Sequence, residues 1–196
     1  DHGLLRAAGV IVAAGTFMDG RVIVGPTEYP AGRTGESATR GLSASLAALG
    51  LSLHRMKTGT TPRLLRSSIR WEDLPVQEED EPGLQFSMHE RAVALPRIQC
   101  RITHTNERTH ELIRQNLHRA PLYDGTIDGV GPRYCPSIET KVVRFHDRPR
   151  HLLFLEPEGQ HSQEIYPNGL STSLPVSVQV QMVHTIEGLE RAEIVR

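Results

Sequence analysis

Cysteine is scarce in this chain, whose 196 residues contain two, Cys100 and Cys135. They lie far apart, and neither belongs to a CxxC pair. Disulfide frameworks and zinc sites both need clustered cysteines. The sequence therefore predicts two reduced thiols and no metal site.

An excess of charge of either sign is also missing, because 22 Lys and Arg face 23 Asp and Glu for a net charge of −1. No chain-wide field attracts nucleic acid, so RNA binding would need a local patch. No apolar run approaches the ~20 residues of a membrane span, and the first residues lack the basic region of a leader peptide. We expect a soluble cytoplasmic protein without membrane contacts, or an organellar matrix protein if the source is eukaryotic.

The common catalytic and nucleotide-binding signatures are absent as well. The chain has no GxSxG, no HExxH, no P-loop and no complete GxGxxG dinucleotide fingerprint. His104 and His110 do not have the spacing that places two imidazoles on one helical face, so we expect capping or surface roles for them.

The elements that are present alternate between strand and helix. Residues 9–17, GVIVAAGTF, predict a buried strand with a sharply turned tip, and residues 21–25 predict a second strand. Residues 39–49 predict a helix capped by Thr39 and closed by Gly50 in the left-handed conformation. Residues 51–55 alternate as in a strand, and KTGTTPR, residues 57–63, predicts a loop.

The second half continues this pattern. Residues 72–85 carry six acidic side chains and two prolines and predict a surface linker near a subdomain boundary. Asn106 predicts the cap of a second helix, residues 141–145 (KVVRF) and 151–159 predict strands, and Pro175 favours a helix in the ambiguous segment 174–194. Together these elements predict an α/β architecture.

The loop stretch GVGPRYCPSIETKVVRF holds the residues with the most chemical potential. Arg133 would favour the thiolate of Cys135, but a lone cysteine also packs as a small apolar residue. Tyr134 could stack on a planar ring, with Arg133 and Lys141 on phosphates, or it could be a core tyrosine beside two solvated cations. The KTGTTPR loop equally suits an anion or a plain turn.

Several motifs taken together resemble the GidA family of tRNA-modifying flavoproteins. They are GTFMDGRVIVG, YPAGR, MKTGTTPR, THTN, GVGPRYCPSIE, FLEPEG and IYPNGLSTSLP, and the resemblance runs from residue 9 to residue 196. It implies a fragment of an FAD/NAD(P)-binding, glutathione-reductase-like fold with an inserted α/β subdomain. By this resemblance, residues 1–60 belong to the FAD-binding domain, residues 61–130 to the insertion, and residues 131–196 to a nicotinamide-associated motif and the return to the FAD-binding domain.

The resemblance also implies a function. The family adds a carboxymethylaminomethyl-type group to carbon 5 of the wobble uridine of tRNA, with FAD, NADH and methylenetetrahydrofolate. Its partner is the GTPase MnmE, with which it forms a heterotetramer, and it is implied to form a homodimer. Two alternatives remain open: a folate- and FAD-dependent tRNA uridine methyltransferase, and a non-catalytic tRNA-binding module that places Lys57, Arg63, Arg133, Lys141 and Arg144 on phosphates.

The resemblance further assigns site residues. Gly15, Thr16 and Thr39 match FAD positions, and Cys135 matches a cysteine implicated in the reaction. The stretch attributed to NAD comprises Gly131, Pro132, Arg133, Tyr134, Cys135, Pro136, Ser137, Ile138, Glu139, Thr140, Lys141, Val142, Val143, Arg144 and Phe145. Thr61 departs from the family pattern TGTPPR, and the family's glycine-rich FAD fingerprint and C-terminal helical region are missing. We therefore expect an internal fragment that alone is inactive and binds FAD poorly.

Overall fold

The computed structural model describes residues 3–78, 88, 98–127, 129, 131 and 136–196. Its strands are β1 (Arg21–Val24), β2 (Thr27–Pro30), β3 (Leu64–Leu65), β4 (Arg101–His104), β5 (Leu152–Pro157) and β6 (Glu164–Asn168). Its α-helices are α1 (Leu42–Ala48), α2 (Glu107–Asn116), α3 (Ile138–Arg144) and α4 (Val176–Val183). Short 3-10 turns cover Arg66–Ser68, Trp71–Asp73 and Leu117–Arg119. No helix in these described ranges is both long and apolar enough to cross a membrane.

The chain divides into two compact units. The first contains Asp1–Ile23 and Thr27–His54, and the second contains Val24–Pro26 and Arg55–Arg196. The ranges 61–130 and 131–196, which the sequence predicts to be separate segments, both contribute strands to one sheet of the second unit. Which functional domain each range belongs to stays a prediction.

The first unit is built on a two-stranded sheet of β1 and β2, and the predicted strand 21–25 is confirmed. The predicted buried strand 9–17 is wrong for this chain: its residues form no strand, and Val10 and Ile11 are 84% and 94% exposed. A buried parallel strand needs hydrogen-bonded neighbours on its edges. Among the described residues, none supplies such a ladder to residues 9–14.

The helix predicted over residues 39–49 forms as the shorter α1. Thr39 is not its cap, because the Thr39 backbone pairs with Met18 in a parallel bridge and left-handed Gly41 precedes the helix. Gly50, at φ 86°, closes the helix as predicted. The strand predicted over residues 51–55 is wrong, since this segment is irregular and exposed.

The second unit is organised by a four-stranded sheet in the order β3-β6-β5-β4, and all its pairs are antiparallel. The predicted strand 151–159 is confirmed as β5, which pairs Ile102 with Phe154 on one edge and Phe154 with Asn168 on the other. Alternate side chains of β5, Leu153 and Leu155, are fully buried. The neighbouring strands β4 and β6 are not predicted by the sequence.

Three helices pack with this sheet. The helix predicted at Asn106 is confirmed as α2, where the Asn106 and Thr109 side chains form a reciprocal capping box. Pro175 precedes α4, so the helical alternative for that segment is confirmed. The strand predicted over residues 141–145 is wrong: this segment lies in α3, because Ser137 accepts a hydrogen bond from the Thr140 amide and starts a helix.

The core of the second unit lies between the helices and one face of the sheet. Ile138 and Val142 of α3 are buried at helical spacing, as are Val178 and Met182 of α4. The buried cluster also contains Leu64, Ile69, Leu74, Ile113, Ala120, Leu153, Leu155, Ile165, Leu170, Leu174, Val183, Ile186, Leu189 and Ala192. This core holds the loops of the candidate site in place.

Candidate functional site

In the first unit, the three predicted flavin-contacting residues lie on two adjoining segments. Gly15 sits in a turn with φ 54°, and a Cβ placed on it would meet no atom within 4 Å. Two residues further on, the carbonyl of Phe17 accepts a hydrogen bond of 2.8 Å from the Thr39 amide. This hydrogen bond holds Thr39 close to the exposed turn at Gly15 and Thr16. The three residues could therefore contact one ligand.

This turn is held by close backbone packing. The Thr16 hydroxyl donates to the Gly32 carbonyl at 2.6 Å. A Cβ on Gly32 would come within 2.0 Å of the Phe17 ring, and a Cβ on Gly20 within 2.2 Å of the Thr16 carbonyl oxygen. Glycine is therefore required at both positions, and it lets YPAGR, residues 29–33, pack against the turn.

In the second unit, the structure brings three of the sequence motifs together. The Thr172 amide donates to the Thr60 carbonyl at 3.0 Å, which joins IYPNGLSTSLP to the KTGTTPR loop. The Ile138 amide donates to the Ser171 carbonyl at 2.8 Å, which joins IYPNGLSTSLP to the start of α3. A Cβ on Gly131 would lie 3.2 Å from Cε of Lys57. The residues in these three contacts lie 112, 33 and 74 positions apart in the sequence, so the convergence is set by the fold.

Glu139 is the centre of this convergence and is fully buried. Its Oε1 accepts a hydrogen bond of 2.5 Å from the Thr172 hydroxyl and one of 3.2 Å from the Ser173 amide. Its Oε2 has no hydrogen-bond partner among the described residues. Burying a carboxyl group costs free energy unless the group is hydrogen-bonded. The contacts of Glu139 with Thr172 and Ser173 are therefore specific polar contacts inside the core.

The next turn of α3 adds a second link to the same segment. Nζ of Lys141 donates to the Gly169 carbonyl at 3.0 Å. Gly169 has φ 101°, and a Cβ on it would approach the Leu152 carbonyl oxygen to 2.9 Å, so no other residue fits there without rearrangement. The sequence leaves open whether Lys141 binds a phosphate or is a solvated cation, and in the structure its ammonium group makes this backbone contact.

The RNA-binding alternative places Arg63 on phosphates, whereas in the structure its side chain makes contacts within the second unit. Its guanidinium pairs with Glu158, donates to the Thr60 hydroxyl at 2.9 Å and lies 4.4 Å over the Tyr166 ring. With a further hydrogen bond from Nη1 to the Thr61 carbonyl, these contacts engage Nε and Nη1 of the guanidinium group within the second unit. Arg63 therefore fastens the KTGTTPR loop to the sheet.

Part of the predicted nicotinamide stretch lies outside the described residues: Pro132, Arg133, Tyr134 and Cys135. Of the rest, Gly131, Pro136, Thr140 and Lys141 are half-buried, Ser137, Ile138, Glu139 and Val142 are buried, and Val143, Arg144 and Phe145 are exposed. Ser137 and Glu139 are thus buried at the start of α3, which follows Cys135 in the sequence. Val143, Arg144 and Phe145 face solvent at its other end.

The other cysteine, Cys100, is half-buried and free. Burial, and then the negative charge of Glu156, raise the pKa of its thiol. A raised pKa disfavours the thiolate, which is the reactive form. Cys100 is therefore not an activated nucleophile.

The histidines that the sequence assigns to surface or capping roles behave differently. His110 is buried, and its Nε2 lies 2.8 Å from the Thr105 hydroxyl. Burial lowers the pKa of both His110 and His151, whose rings lie 5.1 Å apart. The expected surface role is wrong for His110, which is buried against Thr105 and His151.

Comparison with known proteins decides what these motifs belong to. The family model described as glucose inhibited division protein A matches residues 1–196. The chain belongs to the GidA family. It is 52% identical over 187 residues to a protein of Geobacter sulfurreducens and 50% identical over 192 residues to one of Granulibacter bethesdensis, both named tRNA uridine 5-carboxymethylaminomethyl modification enzyme MnmG. The chain covers 30% of the length of each relative, and they cover 95% and 98% of the chain.

Solved GidA structures have the same fold over this region. The structure of Aquifex aeolicus GidA in its form I crystal matches with a TM-score of 0.82 and 46% identity, over 93% of this chain and 32% of that one. The form II crystal gives a TM-score of 0.80 at 43% identity. These matches confirm the predicted α/β class and the expectation of a GidA fragment.

Proposed function

We propose that the protein to which this chain belongs is a flavin-dependent tRNA modification enzyme that adds a carboxymethylaminomethyl-type group to carbon 5 of the wobble uridine. The observation that carries the proposal is the convergence of KTGTTPR, the start of α3 and IYPNGLSTSLP on buried Glu139. The name of its relatives, which share 50–52% of its residues, supports the reaction.

FAD fits the first unit's candidate surface. Gly15 leaves open the space that a Cβ would occupy, and Thr39 is tied to the same turn. Gly15, Thr16 and Thr39 would hold the flavin. When bound, FAD supplies redox and one-carbon transfer chemistry, with NADH as reductant and methylenetetrahydrofolate as one-carbon donor.

The second unit would supply the reactive thiol and its positioning. Cys135 stands two residues before Ser137, the cap of α3, and four before Glu139. The hydrogen bonds that Glu139 accepts from Thr172 and Ser173 hold the start of α3 in place. Cys135 precedes this anchored helix start by two residues. We propose that the Cys135 thiol adds to the uracil ring or assists proton transfer, and that residues 131–145 contact NADH.

The test replaces Cys135 by Ser in the full-length parent and measures wobble nucleosides by mass spectrometry after complementation, with FAD occupancy followed by absorbance. We expect loss of the modified nucleoside with FAD retained. Cys100→Ser is the matched control and should keep modification, because the Cys100 thiol is not activated. Normal modification by Cys135→Ser would contradict the role of this thiol.

The proposed partners are tRNA and the GTPase MnmE, in an assembly that contains a homodimer of the parent and is located in the cytoplasm or an organellar matrix. A methyltransferase acting on tRNA uridine is the nearest enzymatic alternative, and a non-catalytic tRNA-binding module is the other. The mass of the modified nucleoside separates the two enzymes, and absence of flavin from the purified parent would favour the binding module.

A further inference from the structure

The last residue of α3 and the loop that follows it carry three arginines, a histidine and a phenylalanine within seven residues. We call Arg144, Phe145, His146, Arg148 and Arg150 the basic loop, and all five residues are exposed. Asp147 is the one acidic residue between Arg144 and Arg150. The chain as a whole has net charge −1, so this is a local excess of positive charge.

The three arginines of the basic loop form no ion pair with any residue that the structure describes. Elsewhere in the described ranges, Arg114 pairs with Glu107 and Glu111, and Arg196 with Glu158 and Glu164. Three guanidinium groups within seven residues and without a carboxylate partner concentrate positive charge, which attracts an anionic ligand. The basic loop is thus suited to a polyanion.

Phe145 supplies an aromatic surface within this cluster. Its side chain is 49% exposed, while its ring meets the His151 ring edge-on with centroids 6.5 Å apart. His151 is fixed in turn, because its amide donates to the Thr105 hydroxyl at 2.8 Å. The Phe145 ring is therefore supported on one side and open to solvent on the other.

Guanidinium groups beside an open aromatic face are the combination that binds unpaired nucleotides, because cations track phosphates while a ring stacks on a base. The seven-residue helix α3 places Phe145 roughly 12 Å along its axis from Ser137. The basic loop is thus a surface distinct from the start of α3, where Cys135 is attached.

We propose that the basic loop binds the unpaired nucleotides of the substrate RNA, with Arg144, Arg148 and Arg150 on phosphates and Phe145 stacked on a base. This inference rests on the proposed function and assigns part of its RNA-binding surface. For Arg144 and Phe145 it replaces the NADH contact proposed above for residues 131–145 by a contact with RNA, and residues 131–143 keep the proposed NADH role.

The test uses the full-length parent and a labelled anticodon stem-loop RNA with an unpaired wobble uridine, and measures affinity by fluorescence anisotropy at several salt concentrations. The double variant Arg148→Gln/Arg150→Gln should bind more weakly, and its slope of log affinity against log salt should fall by about 1.4, since each single-strand phosphate contact contributes about 0.7. Phe145→Leu should weaken binding roughly tenfold with the slope unchanged.

Arg70→Gln/Arg191→Gln is the matched control, since it removes two exposed arginines outside the basic loop. It should leave the slope as in the wild type. An unchanged slope in Arg148→Gln/Arg150→Gln would overturn the inference. Equal affinity of the wild type for a fully paired RNA would also overturn it, as would a double variant that keeps its RNA affinity but loses a bound protein partner.

A wobble-nucleoside assay on the same proteins separates this inference from the proposed function. If the wild-type parent modifies no wobble uridine, the proposed function fails. If the wild type modifies the wobble uridine and both loop variants keep wild-type RNA affinity and KM for tRNA, the proposed RNA-binding role of the basic loop is wrong. The proposed function then stands.

Discussion

In the first unit Val10 and Ile11 are 84% and 94% exposed, whereas in the second unit Leu153 and Ile165 are fully buried. All four belong to short apolar runs. The difference lies in their neighbours: β5 and β6 have hydrogen-bonded strands beside them, and the described residues give residues 9–14 none. Apolar character makes burial favourable, but other segments of the chain must supply the surface. Since this chain spans 30% of its relatives' length, we propose that residues 9–17 become a strand in the longer parent.

The largest expected effect sharpens this contrast. Ile165→Ala should lower the free energy of unfolding of the 196-residue chain by about 2–5 kcal/mol, because it leaves a cavity in the core. Ile11→Ala should change it by less than about 0.5 kcal/mol, as expected for an exposed side chain. Urea unfolding followed by Trp71 fluorescence and circular dichroism measures both. Equal losses would show that residues 9–17 are buried in this chain.

A second prediction concerns the buried carboxyl group. Glu139→Ala should destabilise the second unit by about 1–3 kcal/mol, because the Thr172 hydroxyl and the Ser173 amide lose their shared acceptor. Glu139→Gln keeps an acceptor oxygen and should cost less. A double-mutant cycle with Thr172→Val measures the coupling. Additive effects of the two substitutions would mean that the hydrogen bond does not hold the motifs together.

Helix capping gives a smaller effect. Asn106→Ala should cost about 1 kcal/mol, since the Asn106 side chain accepts from the Thr109 amide at 3.0 Å. Gln115→Ala, on the exposed face of α2, is the matched control and should stay within about 0.5 kcal/mol. Urea midpoints compare the two. If the control lost as much as Asn106→Ala, the capping box would have no special role.

The smallest effect is a dependence on pH between pH 5 and 7. Burial lowers the pKa of His110 and His151 below the usual value of about 6.5, so the unfolded chain binds protons more readily. The free energy of unfolding should therefore fall as the pH drops through about 6.5 and be nearly constant above it. His151→Gln should flatten this dependence. Greater stability at pH 5.5 than at pH 7.5 would contradict the assignment.

The parts of the fold that the sequence predicts are those with local signals. The apolar run from Leu152 to Leu155 predicts β5, and Asn106 before an apolar period predicts α2. Pro167 conceals β6, because proline removes a ladder donor and argues against a strand. The two adjacent valines of KVVRF favour a strand, but the cap at Ser137 and the buried face of Ile138 and Val142 outweigh this preference.

The candidate site is less accessible to sequence reasoning. The motif residues are visible in the sequence, yet nothing local shows that Glu139 is buried or that Thr172 and Ser173 are its donors. These contacts bridge 33 and 34 positions. Ser137 and Glu139 were the available signal, since serine is a common N-cap residue and an acidic residue in the first turn favours a helix start.

Hydrogen exchange followed by mass spectrometry, on the 196-residue chain and on the full-length parent, tests the contrast between the two units most directly. We predict protected amides in β5, β6 and α4 of both proteins, and amides of residues 9–14 that are protected only in the parent. Equal protection of residues 9–14 in both proteins would contradict the account, because this chain would then bury its apolar run by its own contacts.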